Sequence, residues 1–218
     1  MLYNREMTPP TIFAIDPSTL GTYNFVQLEE DKILASGRVI PYEEYKKLLE
    51  AEYTAAVRLQ TALTNGSTLK ELHKLRHEHI KTVKEIDAHT HELLVDGALE
   101  DSDVIVTEKV LLYSNSNELR DTAKSIGMLA ERFKSLNVAY MQHGEVLRAL
   151  GILHLKKHRE FASTDTCVSK EMKRKFGDKG TKKNPGATYG FVRDTWQALG
   201  LAVAYQIAKG LNEHTYPP

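Results

Sequence analysis

The stretch Thr11-Ile-Phe-Ala-Ile-Asp16-Pro-Ser-Thr-Leu-Gly21-Thr-Tyr-Asn-Phe-Val-Gln-Leu28 decides how the chain folds. Thr11 to Ile15 is a short run rich in β-branched and aromatic side chains, the composition of a buried strand. Pro17 lacks a backbone donor and Gly21 accepts positive φ, so the chain turns there, and Tyr23 to Leu28 reads as the returning strand. The first strand closes on a carboxylate. Asp is disfavoured in sheets and costly to bury unpaired. A lone Asp-Pro also suits a turn in which the acid caps its own backbone. The rest of the chain decides between the two.

Lys32 to Ile40 supplies a third strand and completes an antiparallel meander. Pro41 then opens a helix with an acidic first turn, Glu43 and Glu44, and apolar residues at helical spacing as far as Leu63. Asn65-Gly66 breaks it. Ser67 starts a second helix whose apolar stripe runs from Leu69 to Leu94. Residues 42–98 therefore read as an αα-hairpin with polar outer faces, inserted in a single domain that spans 1–218. His73 and His77 lie four apart on one helix face, a spacing that binds zinc when other ligands join it. No Cys accompanies them, and a solvated histidine-rich helix is the expected reading.

Asp103-Val-Ile-Val-Thr-Glu108 is a second short apolar strand that ends on a carboxylate. A loop from Lys109 to Asn117, a helix over 118–135, a strand at Asn137–Met141 and a short helix over 145–150 follow, the alternation of a parallel sheet section. Ser163-Thr-Asp165 caps a helix through Val168, Met172 and Phe176, and Gly177 to Gly190 is a glycine-rich basic loop expected to be flexible. The last helix, about 191–209, is small and apolar nearly all round, so it packs closely on the sheet. Asp194 sits near its start.

Composition narrows the class. With 41% hydrophobic and 27% charged residues in 218, the chain can bury a proper core. No apolar run spans a bilayer, and the first residues lack the apolar segment of a signal peptide. One cysteine, Cys167, excludes an internal disulfide framework and is expected to be a packing residue. The expectation is a cytoplasmic protein with no membrane partner. Net charge is zero, yet the charges are segregated. Residues 85–108 hold acids and no Lys or Arg, whereas 156–183 are dominated by bases, among them Lys170, Lys173, Arg174, Lys182 and Lys183. A basic third interrupted by glycines suits phosphate contact.

Asp16 and Glu108 close two apolar strands, and Asp194 opens the buried helix. If the strands are neighbours and the helix crosses them, three carboxylates converge. Such a group repels itself unless protonated or bridged by a divalent cation, and hard oxygen ligands favour Mg²⁺ or Mn²⁺. Ions so held can activate a water and stabilise the leaving oxygen of a phosphodiester.

This order of elements resembles the RNase H-like superfamily, and within it the RuvC family of Holliday-junction resolvases. The likeness rests on Ile15-Asp16-Pro17-Ser18 opening into Gly21-Thr22, on Val104-Ile-Val-Thr-Glu108, and on Asp194-Thr-Trp-Gln197-Ala198-Leu199. It covers residues 11–40 and 101–210. It implies an α/β fold, a mixed five-stranded sheet flanked by helices, with the 42–98 hairpin as an insertion that marks a divergent, bacteriophage-type member. It implies a Mg²⁺-dependent endodeoxyribonuclease, with no organic cofactor, that acts as a homodimer on four-way or branched DNA. Asp16, Glu108 and Asp194 would be the catalytic metal ligands. Lys109, Leu111 and Tyr113 would probe the junction, with Leu111 or Tyr113 as wedge or stacking residue. Lys170, Lys173, Arg174, Lys182 and Lys183 would face phosphates. One residue departs from the family pattern: Gln197 stands where a second helix acid is expected. Either its amide oxygen ligates, or three carboxylates suffice, or Asp165 substitutes, or activity has been lost. Two other readings compete, a branched-DNA-binding protein without catalysis and a phosphotransferase of the actin-like ATPase superfamily. The second rival needs a further glycine-rich hairpin and an adenosine motif, and the sequence has neither.

Overall fold

In the computed structural model the quoted stretch folds as the expected hairpin. The structure describes residues 9–17, 22–87, 90–91, 101–109, 137–153 and 164–211, with isolated positions between 95 and 131. Its strands are β1 (Thr11–Pro17), β2 (Tyr23–Glu29), β3 (Lys32–Ile40), the two-residue β4 (Thr90–His91), β5 (Val104–Lys109) and β6 (Val138–Gln142). The chain forms two compact units: Met1–Gly37 with Gly97–Pro218, and Arg38–Asp96.

The sheet runs β4-β3-β2-β1-β5-β6, and β4 pairs only with the end of β3 that belongs to the second unit, so the first unit holds the expected five, β3-β2-β1-β5-β6. β1 runs antiparallel to β2 and parallel to β5, which is parallel to β6. This is a mixed, RNase H-like sheet, as the sequence leads one to expect. Alternation sorts its side chains. Ile12, Ala14, Val26, Leu28, Val104 and Val106 share one core with the helices, while Phe13 stacks on Phe25 at 4.9 Å on the other face. Both faces are buried, which explains the unbroken apolar runs.

Three helices cover the first face: α3 (His143–Ala149), α4 (Thr164–Phe176) and α5 (Arg193–Lys209), their numbers leaving α1 and α2 to the second unit. α5 packs on β1, β2 and β5, and α3 and α4 pack on α5. Its small residues permit this approach. A Cβ placed on Gly200 would lie 2.4 Å from Val168 Cγ1, so α4 and α5 meet where only glycine fits. The turn between β2 and β3 is clasped from both helices: Gln206 Nε2 donates to Glu30 O at 2.9 Å, and Lys175 Nζ lies 2.8 Å from Asp31 Oδ1.

In the second unit α1 (Tyr42–Thr64) and α2 (Leu69–Asp87) pack as a helical hairpin. Glu71 accepts from the Thr68 backbone and hydroxyl and so starts α2. Sheltered positions recur at alternating steps of three and four: Tyr45, Leu48, Glu52, Ala55 and Leu59 on α1, then Leu72, Leu75, His79, Thr82 and Ile86 on α2. This is a coiled-coil seam. Glu52 and His79 pair across it at 2.7 Å. Two expectations are corrected here. α2 ends at Asp87, short of 98, and Thr90 and His91 pair in parallel with Val39 and Ile40, while Leu93 and Leu94 lie outside the described residues. The outer side of α1 also exposes Leu49, Tyr53, Val57 and Leu63 and is less polar than expected. His73 and His77 are exposed, as a solvated face requires. The helix expected over 118–135 lies mainly outside the described residues, of which Ala123, Lys124, Gly127 and Glu131 are helical. No helix among the described residues is long and apolar enough to cross a membrane.

Candidate active site

Register and alternation place the first two acids. Ile12, Ala14, Val104 and Val106 point into the helical core, so Asp16 and Glu108, two residues further along each strand, project from the same face. β1 and β5 run in parallel with Ile15 level with Thr107, which sets Asp16 beside Glu108 one step on. Apolar neighbours bring each strand to its end, and the carboxylates emerge half-buried where the apolar cover stops.

The third acid arrives on α5. Val192, the residue before its first turn, makes no side-chain cap, and Asp194 does not stay with its own helix end. Its Oδ2 accepts from Asn24 Nδ2 at 3.4 Å, and Asn24 is the residue directly across β2 from Asp16. The neighbouring Thr195 hydroxyl lies 3.5 Å from Asn24 Oδ1. Asn24 is only 1% exposed, so this buried amide joins β2 to the start of α5. Glu108 in turn is 3.1 Å from His143 Nδ1, at the start of α3. Neither Asn24 nor His143 stands out in the sequence as a site residue.

The donor set is all hard oxygen, the chemistry of Mg²⁺ and Mn²⁺ sites rather than of zinc. The expected convergence is incomplete: among the described residues no three His, Cys, Asp or Glu form a group that could hold a metal. Carboxylates facing one another without a cation repel, and here Glu108 takes His143 and Asp194 takes Asn24. Gln197 is half-buried and its Nε2 donates to Ser169 Oγ on α4 at 3.5 Å. The side chain of Asp165 lies outside the described residues.

Neither a family model nor a curated protein matches the chain. Solved structures do, two of RuvC among them. The Thermus thermophilus RuvC structure aligns with a TM-score of 0.45 and 11% identity over 92% of this chain and 96% of that one. T. thermophilus RuvC in complex with Holliday junction substrate aligns with a TM-score of 0.44 and 12% identity over the same shares.

The cations expected at phosphates are less available than the sequence suggests. Arg174 forms a forked pair with Glu171, the shorter contact 2.6 Å, and Lys173 Nζ sits 5.8 Å above the Trp196 ring. Lys170 and Lys109 are exposed, Lys109 as the last residue of β5. Leu111 and Tyr113 lie outside the described residues. The glycine-rich stretch is a built hairpin rather than the loose loop expected: β7 (Gly180–Thr181) pairs with β8 (Asn184–Pro185), and Lys182 and Lys183 form its exposed tip. Gly180 has φ 71°, and a Cβ there would meet Asn184 O at 2.4 Å, so glycine serves close approach here. Cys167 is buried, and that burial pushes its thiol pKa up, as befits a packing residue.

Proposed function

We propose that the chain is a divalent-metal-dependent endodeoxyribonuclease acting on four-way or branched DNA. One observation carries this reading: Asp16 and Glu108 project side by side from the face that α5 covers, and Asp194 reaches the residue opposite Asp16. Three carboxylates, hard oxygen ligands at the ends of two neighbouring strands and the start of the helix that covers them, have metal-assisted phosphodiester hydrolysis as their best-matched chemistry. The sequence likeness to junction resolvases names the substrate class. On this reading Asp16, Glu108 and Asp194 hold Mg²⁺ or Mn²⁺, Glu108 and Asp194 exchanging their present partners for the ion. The ion supplies an activated water and charge stabilisation. Lys109, Lys170, Lys182 and Lys183 hold phosphates, and two copies act on one junction.

A second reading is a junction-binding protein without catalysis, favoured by Glu108 resting on His143 and Gln197 on Ser169. Cleavage of a four-way junction and of linear duplex, with and without Mg²⁺, separates the two. Asp16→Asn and Glu108→Gln are expected to abolish cutting, a loss of at least about 10³-fold, while junction binding persists. Normal cutting by both variants removes the catalytic assignment. Tight binding without cutting by the unaltered protein leaves the second reading standing.

A further inference from the structure

α2 carries a row of four lysines with one histidine among them that the active-site reading does not use. Lys70, Lys74, His77, Lys81 and Lys84 follow one another at steps of four, three, four and three, and all are exposed. That spacing keeps them on one face of the helix, opposite the seam that meets α1. The row is about 21 Å long at 1.5 Å per residue. Three of the helix's four acids flank the row, and the fourth, Asp87, is the helix's last residue. Glu71 caps the helix start, Glu78 and Glu85 are half-buried in the adjoining row, and Lys81 alone reaches one of them, Glu85, at 3.8 Å. Lys70, Lys74, His77 and Lys84 have no hydrogen-bond or ion-pair partner among the described residues.

Like charges at i,i+3 and i,i+4 destabilise a helix, and exposed helix faces ordinarily mix signs to avoid it. Lys70 with Lys74 and Lys81 with Lys84 stand at these spacings, and of the four lysines Lys81 alone has an acid within reach among the described residues, a pattern suited to an anion outside the chain. We infer that this face of α2 grips the sugar-phosphate backbone of a duplex nucleic acid. The shape of the surface favours a polyanion in solution over an anionic membrane, because the apolar seam of α2 is taken up by α1 and the two large apolar residues α2 leaves exposed, Leu69 and Ile80, make no continuous apolar face to insert. The contrast within the protein points the same way: Arg174 and Lys175, in the sequence's basic third, are already neutralised by Glu171 and Asp31. Naming the duplex as an arm of branched DNA rests on the proposed function; the basic face itself does not.

The test is the full-length chain with Lys70, Lys74, Lys81 and Lys84 all changed to Gln, which preserves helix propensity. Binding to a four-way junction and to a linear duplex is measured over a range of salt. The dependence of log affinity on log salt is expected to flatten by about 3 to 4, roughly 0.9 for each phosphate the variant no longer neutralises. Changing Lys46, Lys47 and Arg58 on α1 to Gln is expected to leave it unaltered. An unchanged slope in the α2 variant overturns the inference, as does binding of the unaltered protein to phosphatidylserine vesicles but not to duplex. If the α2 variant loses slope while the unaltered protein never cuts DNA, the basic face stands and the nuclease reading falls. If cutting is present and lost in Asp16→Asn, yet the α2 variant binds as before, only the basic face falls.

Discussion

Asn24 shows how much one buried amide decides. A polar side chain 1% exposed in a strand costs stability unless it is satisfied, and this one is satisfied by the first turn of α5. Hydrogen bonds of 3.4 and 3.5 Å are long, so each is worth less than the usual ~1 kcal/mol. Their effect is to aim Asp194. Asn24→Leu keeps the volume and removes both bonds. Unfolding in urea is expected to stay within about 1 kcal/mol of the parent, since leucine suits a buried strand. The Mg²⁺ concentration for half-maximal cleavage is expected to rise about tenfold, the usual cost of losing an orienting partner. An unchanged Mg²⁺ requirement makes Asn24 a packing residue only. Asp16 and Glu108 stand out in the sequence because an acid at the end of an apolar run is conspicuous, and Asp194 because it opens a helix that is apolar nearly all round. Asn24 was legible only by counting back across the hairpin from Pro17 opposite Tyr23, and His143 not at all, because its pairing depends on how β5 and β6 align.

At the scale of elements, strands and helices followed from periodicity, and the errors came where glycine has more than one use. Gly177 to Gly190 suggested looseness, yet Gly180 and Gly186 sit where a side chain would collide with backbone 2.4 to 2.5 Å away. Close approach and flexibility call for the same residue, and only the fold tells them apart. The crossing of α4 and α5 makes the same point. Gly200→Ala gains helix propensity of about 1 kcal/mol but drives a methyl into Val168, itself 1% exposed. Overpacking of this kind costs about 1 to 3 kcal/mol beyond that gain. A net loss in urea unfolding is expected, and Val168→Ala added to Gly200→Ala is expected to recover part of it. Additive losses in the double variant would mean that the two residues do not press on each other. The far end of α2 failed for a different reason. Helical periodicity ran on past Asp87, and the pairing of Thr90 and His91 with Val39 and Ile40 is non-local.

For the whole molecule, the division into two units assigns the two proposed activities to separate parts of the chain. Asp16, Glu108 and Asp194 all belong to the unit formed by Met1–Gly37 with Gly97–Pro218, and the basic face of α2 belongs to Arg38–Asp96. The parallel pairing of Val39 with Thr90 and Ile40 with His91 brings the two ends of the helical hairpin to neighbouring strands, about 5 Å apart. Because the two strands are parallel, the connection between them must run back along their length, so residues 42–87 can be replaced by a Gly-Ser linker of about fourteen residues, whose mean reach of roughly 20 Å covers that return. Loop length adds little to the closing cost, about 0.6 kcal/mol per doubling. The shortened chain is expected to unfold cooperatively, to keep Mg²⁺-dependent cutting at saturating protein, and to need more protein and less salt to bind the junction. Loss of cutting at saturation, in a chain that still folds by circular dichroism, would show that the helical hairpin serves the chemistry as well as the grip. Retained cutting with unaltered salt dependence would place all DNA contact in the first unit. The shortened chain thus weighs the two units against each other with one cleavage measurement and one salt titration.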